Sequence, residues 1–176
     1  MNAQLQYGTT AKIFHWLIVA LLIVQYLIGW LMPDIHGGAP GTPMILHISF
    51  GMVILLLIVL RLVWRLTHPV APDSSLPAWQ RLASEGLHWS LYVAVLGTTM
   101  TGWLFASFRG WSVSLFYFLP LPMLAGASRS GAQAIDGWHQ IAEWSLLAAI
   151  GCHVASAFVH LLVYHDRIMH RMLPGK

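Results

Sequence analysis

Residues 13–32, 44–66, 86–108 and 137–164 are each long and apolar enough to cross a lipid bilayer, which leaves little freedom in how the rest of the chain can fold. A helix rises about 1.5 Å per residue, so about 20 apolar residues traverse a hydrocarbon core of about 30 Å. In that core every backbone polar group must be satisfied within the segment, and this selects helices. Charged residues make up 9% of the chain and apolar residues 57%, with a mean hydropathy of +0.67. A soluble domain carries about 25% charged residues. The sequence therefore predicts an all-α integral membrane protein, a four-helix bundle forming a single transmembrane domain over residues 1–176.

The links between these segments have turn chemistry. Residues 33–43 are rich in Gly and Pro, 67–76 include Pro69 and Pro72, and 107–136 form the longest connection. Basic residues set the orientation: Lys12, Arg61, Arg65, Arg81, Arg167, Arg171 and Lys176 lie on the side of the termini, against Arg109 and Arg129 on the other. Both termini are therefore expected on the cytoplasmic side. Residues 111–128 carry no formal charge and would read as a fifth helix by hydropathy alone, but Pro120 and Pro122 interrupt them and a fifth span would put the basic tail outside. An amphipathic or partly re-entrant loop is expected there, with Trp111, Phe116, Tyr117 and Phe118 at the interface. The first segment lacks a small-residue cleavage site and is expected to stay in the mature protein. Nothing in the chain points to a nucleic-acid partner; its surroundings are lipid.

Ten histidines are many for such a chain, and an ionisable group inside a span usually has a function. His139 and His153 stand fourteen residues apart on the last segment. In a helix that separation turns through roughly 1400°, about 40° short of four turns, and climbs about 21 Å. Both imidazoles then share one face at two depths. With the N-terminus inside, His47 on the second segment matches His139 in level, and His15 on the first matches His153. Two imidazoles at each level suit haem iron, whose axial positions they saturate for electron transfer. Zinc or non-haem iron would want three or four ligands at one level, with thiolates or carboxylates among them. The only cysteine is Cys152, and no Cys-x-x-Cys-His exists to attach haem covalently, so two haems b held by coordination and packing are expected. Gly29, fourteen residues after His15, leaves room on the same face for a macrocycle or for close helix packing, and Gly137 and Gly151 each precede a histidine by two residues.

Other polar residues cluster at the inner level. His160 follows His153 by seven residues and His88 opens the third segment at a similar depth. Either can substitute for His15 or His153 as ligand, hydrogen-bond a propionate or a quinone, or anchor the interface. Arg61 and Arg65, one turn apart, are candidates for propionate contacts, as well as obeying the charge rule. Glu143, four residues after His139, could orient a ligand, carry a proton or sit at the interface. His36, His68, His165 and His170 fall in loops or tail and are expected to be solvated.

In Phe14-His15-Trp16, His47-x-x-x-Gly51, Arg61-Leu-Val-Trp-Arg65, Leu87-His88-Trp-Ser-Leu-Tyr92, Thr101-Gly102-Trp103, Trp138-His139, and the run from Gly151-Cys-His153 through His160 to Asp166 and Arg171, the chain resembles the bacterial cytochrome b561 proteins over nearly its whole length. The resemblance implies a four-helix diheme cytochrome in which His15 and His153 bind the cytoplasmic-side haem b and His47 and His139 the periplasmic-side one. It also implies quinone chemistry. Free-standing relatives include a superoxide oxidase that passes electrons to ubiquinone, and Arg109 stands where that relative also has an arginine, a candidate outer-face anion contact. Other relatives are haem-bearing membrane anchors between a hydrogenase or dehydrogenase and quinone. The short tails resemble the free-standing kind.

The expected function is thus electron transfer from a periplasmic donor, superoxide being the candidate, through two haems b to ubiquinone. The alternative is a haem-b anchor subunit serving a dehydrogenase or hydrogenase partner, and a weaker one is a haem-free transporter. The outer loops offer Arg109 and Arg129 against Asp34 and Asp136, a weak field for steering an anion.

Overall fold

The computed structural model describes residues 7–33, 39–71, 76–166 and 168–173. His36, Asp34, Pro72, Arg167 and Lys176 lie outside the described residues. Four helices follow in order: α1 (Thr9–Leu31), α2 (Thr42–Thr67), α3 (Ala78–Phe108) and α4 (Arg129–Leu162), with a two-stranded hairpin, β1 (Ser114–Leu115) and β2 (Leu119–Pro120), between α3 and α4. A 3₁₀ turn, Met169–Arg171, closes the chain. All four helices are long and apolar enough to span a membrane.

The helices α3 and α4 begin eight residues earlier than hydropathy places them. Hydropathy finds only the part of a helix that sits in hydrocarbon, whereas these first turns carry Arg81 and Glu85, or Arg129 and Asp136, and extend past it. Ser128 supplies the cap for α4, its Oγ accepting from the Gly131 N–H at 3.1 Å. α4 ends at Leu162, leaving Tyr164 outside the helix.

Burial is inverted relative to a soluble bundle. A thin core of Ile18, Ile54, Ile58, Tyr92, Val95 and Leu146 holds the middle of the helices together, while large apolar side chains such as Leu31, Leu56, Val93 and Leu162 are exposed, as a lipid environment allows. Neighbouring helices pack in chain order, α1 on α2, α2 on α3 and α3 on α4. Among the described residues α4 approaches α3 closely but stands off α1 and α2, and that separation is crossed by histidine side chains.

The apolar stretch 111–128 is not a fifth helix. Its turn runs from Leu115 to Phe118, closed by Phe118 N–H to Leu115 O at 2.9 Å, with φ of 47° at Phe116 and 67° at Tyr117. A tight hairpin turn of this kind needs left-handed backbone at both central positions, which Gly or Asn adopts readily. Aromatic residues there cost about 1–3 kcal/mol each, so the hairpin must be held from outside. Ser49 on α2 does this. Fully buried, it accepts from the Phe116 N–H at 2.9 Å and lies 3.1 Å from Ser114 O. Ser107, also fully buried, accepts from the Leu124 N–H at 3.1 Å, and Trp103 Nε1 donates to Pro122 O at 3.1 Å. Trp111 is a correction to the interfacial expectation: it is 5% exposed, packed edge-on against Phe105 with Arg109 over its ring. Tyr117 and Phe118 are exposed as expected, and Phe116 packs on Phe50.

Because Ser49 satisfies a strained hairpin, Ser49→Ala should destabilise the protein by about 1–3 kcal/mol, the range for leaving a buried amide unpaired. Thermal unfolding in detergent and protease nicking within residues 111–128 measure it. An unchanged midpoint with unchanged nicking would show that the hydroxyl does not hold the hairpin.

Candidate functional site

Five histidines gather into two groups. Toward the hairpin end, the rings of His47 on α2 and His139 on α4 face each other with centroids 6.4 Å apart and planes at 86°. Toward the end bearing the termini, His15 on α1 and His153 on α4 stand at 6.2 Å and 84°. Two imidazoles bound to opposite sides of one metal ion, through bonds of about 2 Å and with each ring centre about 1.2 Å behind its nitrogen, would have centroids about 6.4 Å apart. Both pairs match that span. His88 on α3 packs against His153 at 5.4 Å and 66°, which is too short for it, so His88 lies beside the pair.

Among the described residues no three His, Cys, Asp or Glu side chains come together as a metal-ion site. One imidazole pair at each end has the span of two ligands on one ion, which fits a metal whose equatorial positions a macrocycle would fill. The backbone agrees, since each pair bridges the separation between α4 and the α1–α2 hairpin. Gly29 lies at the hairpin-end pair, where an added Cβ would sit 3.5 Å from His47 Cε1, an ordinary contact. An added Cβ at Gly137 or Gly151 would meet nothing within 4 Å.

The arginines reach the terminal-end group. Arg61 is near enough to act electrostatically on His15, His88 and His153, and Arg65 on His88. Arg61 Nε donates to Tyr92 Oη at 3.2 Å, while its buried Nη1 has no hydrogen-bond partner. Arg65 lies over the rings of Trp89 and Tyr92 at 5.2 and 5.5 Å. His160 is engaged elsewhere: Nδ1 meets Asp166 Oδ2 at 2.6 Å, and the ring tilts against Tyr164. Its partners are those of the C-terminal turn, whereas the ring contact of His88 is with His153. At the other end Arg109 caps α3 and stacks over Trp111 at 4.9 Å. Glu143 takes part through its backbone, its carbonyl accepting from Tyr26 Oη at 2.7 Å. His68 stacks on Trp64, and His165 and His170 are exposed.

Some participants are not visible as chemistry in the sequence. The C-terminal turn is tied to α1 beside His15: Trp16 Nε1 donates to Met172 O at 2.9 Å and Lys12 Nζ to Leu173 O at 3.0 Å. The Trp16 that follows His15 is the only signal for it. Thr101 and Gly102 meet the His139 ring, and their signal is the Thr-Gly-Trp triplet.

A multi-pass bundle with two imidazole pairs at two levels defines a membrane electron-transfer protein of the b-cytochrome kind. The family model of the prokaryotic cytochrome b561 matches residues 6–175, and the chain belongs to that family, which implies haem b. It is 27% identical to "Cytochrome b561 homolog 2" of Escherichia coli (strain K12), covering 98% of this chain and 93% of the relative. It is also 28% identical to "Probable superoxide oxidase CybB" of Yersinia pestis, with 92% of each covered.

Proposed function

We propose that this protein carries electrons across the bacterial inner membrane through two haems b, from a periplasmic donor at the hairpin end to ubiquinone at the cytoplasmic, terminal end. The observation that carries this reading is the pair of imidazole spans, 6.4 and 6.2 Å, each from two different helices. His47 and His139 would hold the periplasmic-side haem, His15 and His153 the cytoplasmic-side one. Bound there, the haems supply one-electron transfer.

The chain's own residues do the rest. Haems held by paired imidazoles would be suited to electron transfer rather than to oxygen activation. Arg61 and Arg65 would take the propionates of the cytoplasmic-side haem, and the unpartnered Arg61 Nη1 is a donor of the kind a carboxylate accepts. His88 and His160 stand at that end as imidazoles able to exchange protons with a quinone. Superoxide is the proposed donor, in keeping with the Yersinia relative's name, and Arg109 is a cation at that end for it to meet. Two superoxide anions each lose one electron to become dioxygen. One ubiquinone takes up those two electrons with two protons from the cytoplasmic side.

Purified protein should contain two low-spin haems b per chain by pyridine haemochrome assay, and should reduce added ubiquinone when superoxide is generated, without a partner. One haem per chain would overturn the ligand assignment. Quinone reduction only in the presence of a co-purifying dehydrogenase would replace the superoxide reading by that of a haem anchor subunit.

A further inference from the structure

The triplet Thr101-Gly102-Trp103 lies on the outer half of α3, and its first two residues touch the same ring. Thr101 Oγ1 stands 3.0 Å from His139 Nδ1. The same oxygen lies 2.8 Å from Gly97 O and 3.0 Å from Thr98 O, the carbonyls one turn back along its own helix. A hydroxyl has one hydrogen to donate and lone pairs to accept with. Two oxygens 2.8 Å apart with no hydrogen between them would repel, so the Thr101 hydrogen goes to the helix carbonyl. Toward His139 the hydroxyl can then only accept, which puts a proton on Nδ1 and leaves Nε2 with a bare lone pair.

Gly102 acts on the same ring by what it lacks. A Cβ there would come 3.0 Å from His139 Cε1 and 3.5 and 3.7 Å from Nδ1 and Nε2, so even a methyl group would require the imidazole to shift by a few tenths of an ångström. On the opposing ring, His47 Nδ1 is buried without a hydrogen-bond partner. Trp103 ties the same turn to the hairpin through Pro122 O.

We propose that Thr101 and Gly102 are the positioning residues of His139, Thr101 selecting the tautomer that presents Nε2 and Gly102 leaving the space in which the ring stands. This rests on the reading of His139 as an axial ligand. A ligating imidazole whose other N–H is held by an acceptor is oriented and made more basic. A more basic ligand stabilises the oxidised metal, so Thr101 lowers the midpoint potential of the hairpin-end haem. Arg61 and Arg65, cations grouped with the terminal-end histidines, work in the opposite sense on the other haem. The two effects act in the same sense, each favouring electron flow from the hairpin end to the terminal end.

The test is a potentiometric titration of each haem, with low-spin EPR spectra, in the full-length protein and in Thr101→Val, Thr101→Ala, Thr101→Ser and Gly102→Ala, with His139→Ala as reference. Removing the hydroxyl should raise the reduced-to-oxidised ratio of the hairpin-end haem about tenfold at fixed potential, about 59 mV for one electron, and shift its EPR signal. The terminal-end haem should stay unchanged, and Thr101→Ser should behave as wild type. Gly102→Ala should perturb the same EPR signal or empty that site. Loss of the hairpin-end haem in the Val and Ala variants with retention in Ser would also support the proposal. Unchanged potential and spectrum in the Val or Ala variant, or equal loss in Thr101→Ser, would overturn it. If His139→Ala retains both haems, the ligand assignment itself has failed, which is a separate result.

Discussion

His47→Ala and His139→Ala are each expected to yield a protein that has lost the hairpin-end haem and kept the other, while His15→Ala and His153→Ala do the reverse. The expectation follows from geometry. Each pair is drawn from two helices, spans the distance two axial nitrogens require, and is separated from the other by about 21 Å along α4, so neither pair can stand in for the other. Pyridine haemochrome content should fall by half in every case, and reduced-minus-oxidised spectra should lose a different component in the two classes of variant. His88 is the discriminating residue, because it already touches His153 and could be read as that residue's partner. At 5.4 Å it is too close to share an iron with His153, so His88→Ala should retain both haems. A His88 variant without the terminal-end haem, alongside a His15 variant that keeps it, would reverse the assignment.

The parts of this molecule readable from sequence are those governed by periodicity. The four helices follow from apolar length, and the depth pairing of His15 with His153 and of His47 with His139 follows from 1.5 Å per residue; in the structure those rings lie edge to face, with centroids 6.2 and 6.4 Å apart. The proximity of Arg61 to His15, His88 and His153 follows in the same way. What escaped is contact chemistry between distant segments. The hairpin turn carries aromatic residues in left-handed backbone, where sequence rules look for Gly or Asn, and it exists because Ser49, 67 residues away, bonds to Phe116. Trp111 reads as interfacial from its aromatic neighbours but is buried, because the turn at Gly110, with φ of 69°, folds it back under Arg109 against Phe105. The first turns of α3 and α4 mix charged and apolar residues, Arg81 and Glu85 or Arg129 and Asp136 among them, and so lack the continuous apolar run that marks a span. His160 shares a stripe with His153, yet the chain beyond α4 turns back and gives it Asp166 as a partner, 6 residues on.

That partner gives His160 the second large expected effect: His160→Ala should slow quinone-linked turnover by about 100-fold, the low end of the range for a lost proton-transfer group, with both haem spectra intact. Asp166 Oδ2 lies 2.6 Å from His160 Nδ1, and Asp166 is itself oriented by the Ile168 N–H, which donates to Oδ1 at 3.0 Å. A carboxylate held on one ring nitrogen fixes the imidazole, leaving Nε2 as the atom that would exchange a proton with a quinone under the proposed function. His160 lies seven residues, about 10 Å along the helix, beyond His153, so its removal should not disturb ligation. Asp166→Asn should reproduce part of the loss, since it keeps a hydrogen-bonding group without the charge. The rates are read as superoxide-driven ubiquinone reduction, with haem reduction by dithionite as the control. An unchanged rate in His160→Ala would place proton delivery elsewhere, with His88, in ring contact with His153, the next residue to test. A lost haem spectrum would make His160 a structural support of the site.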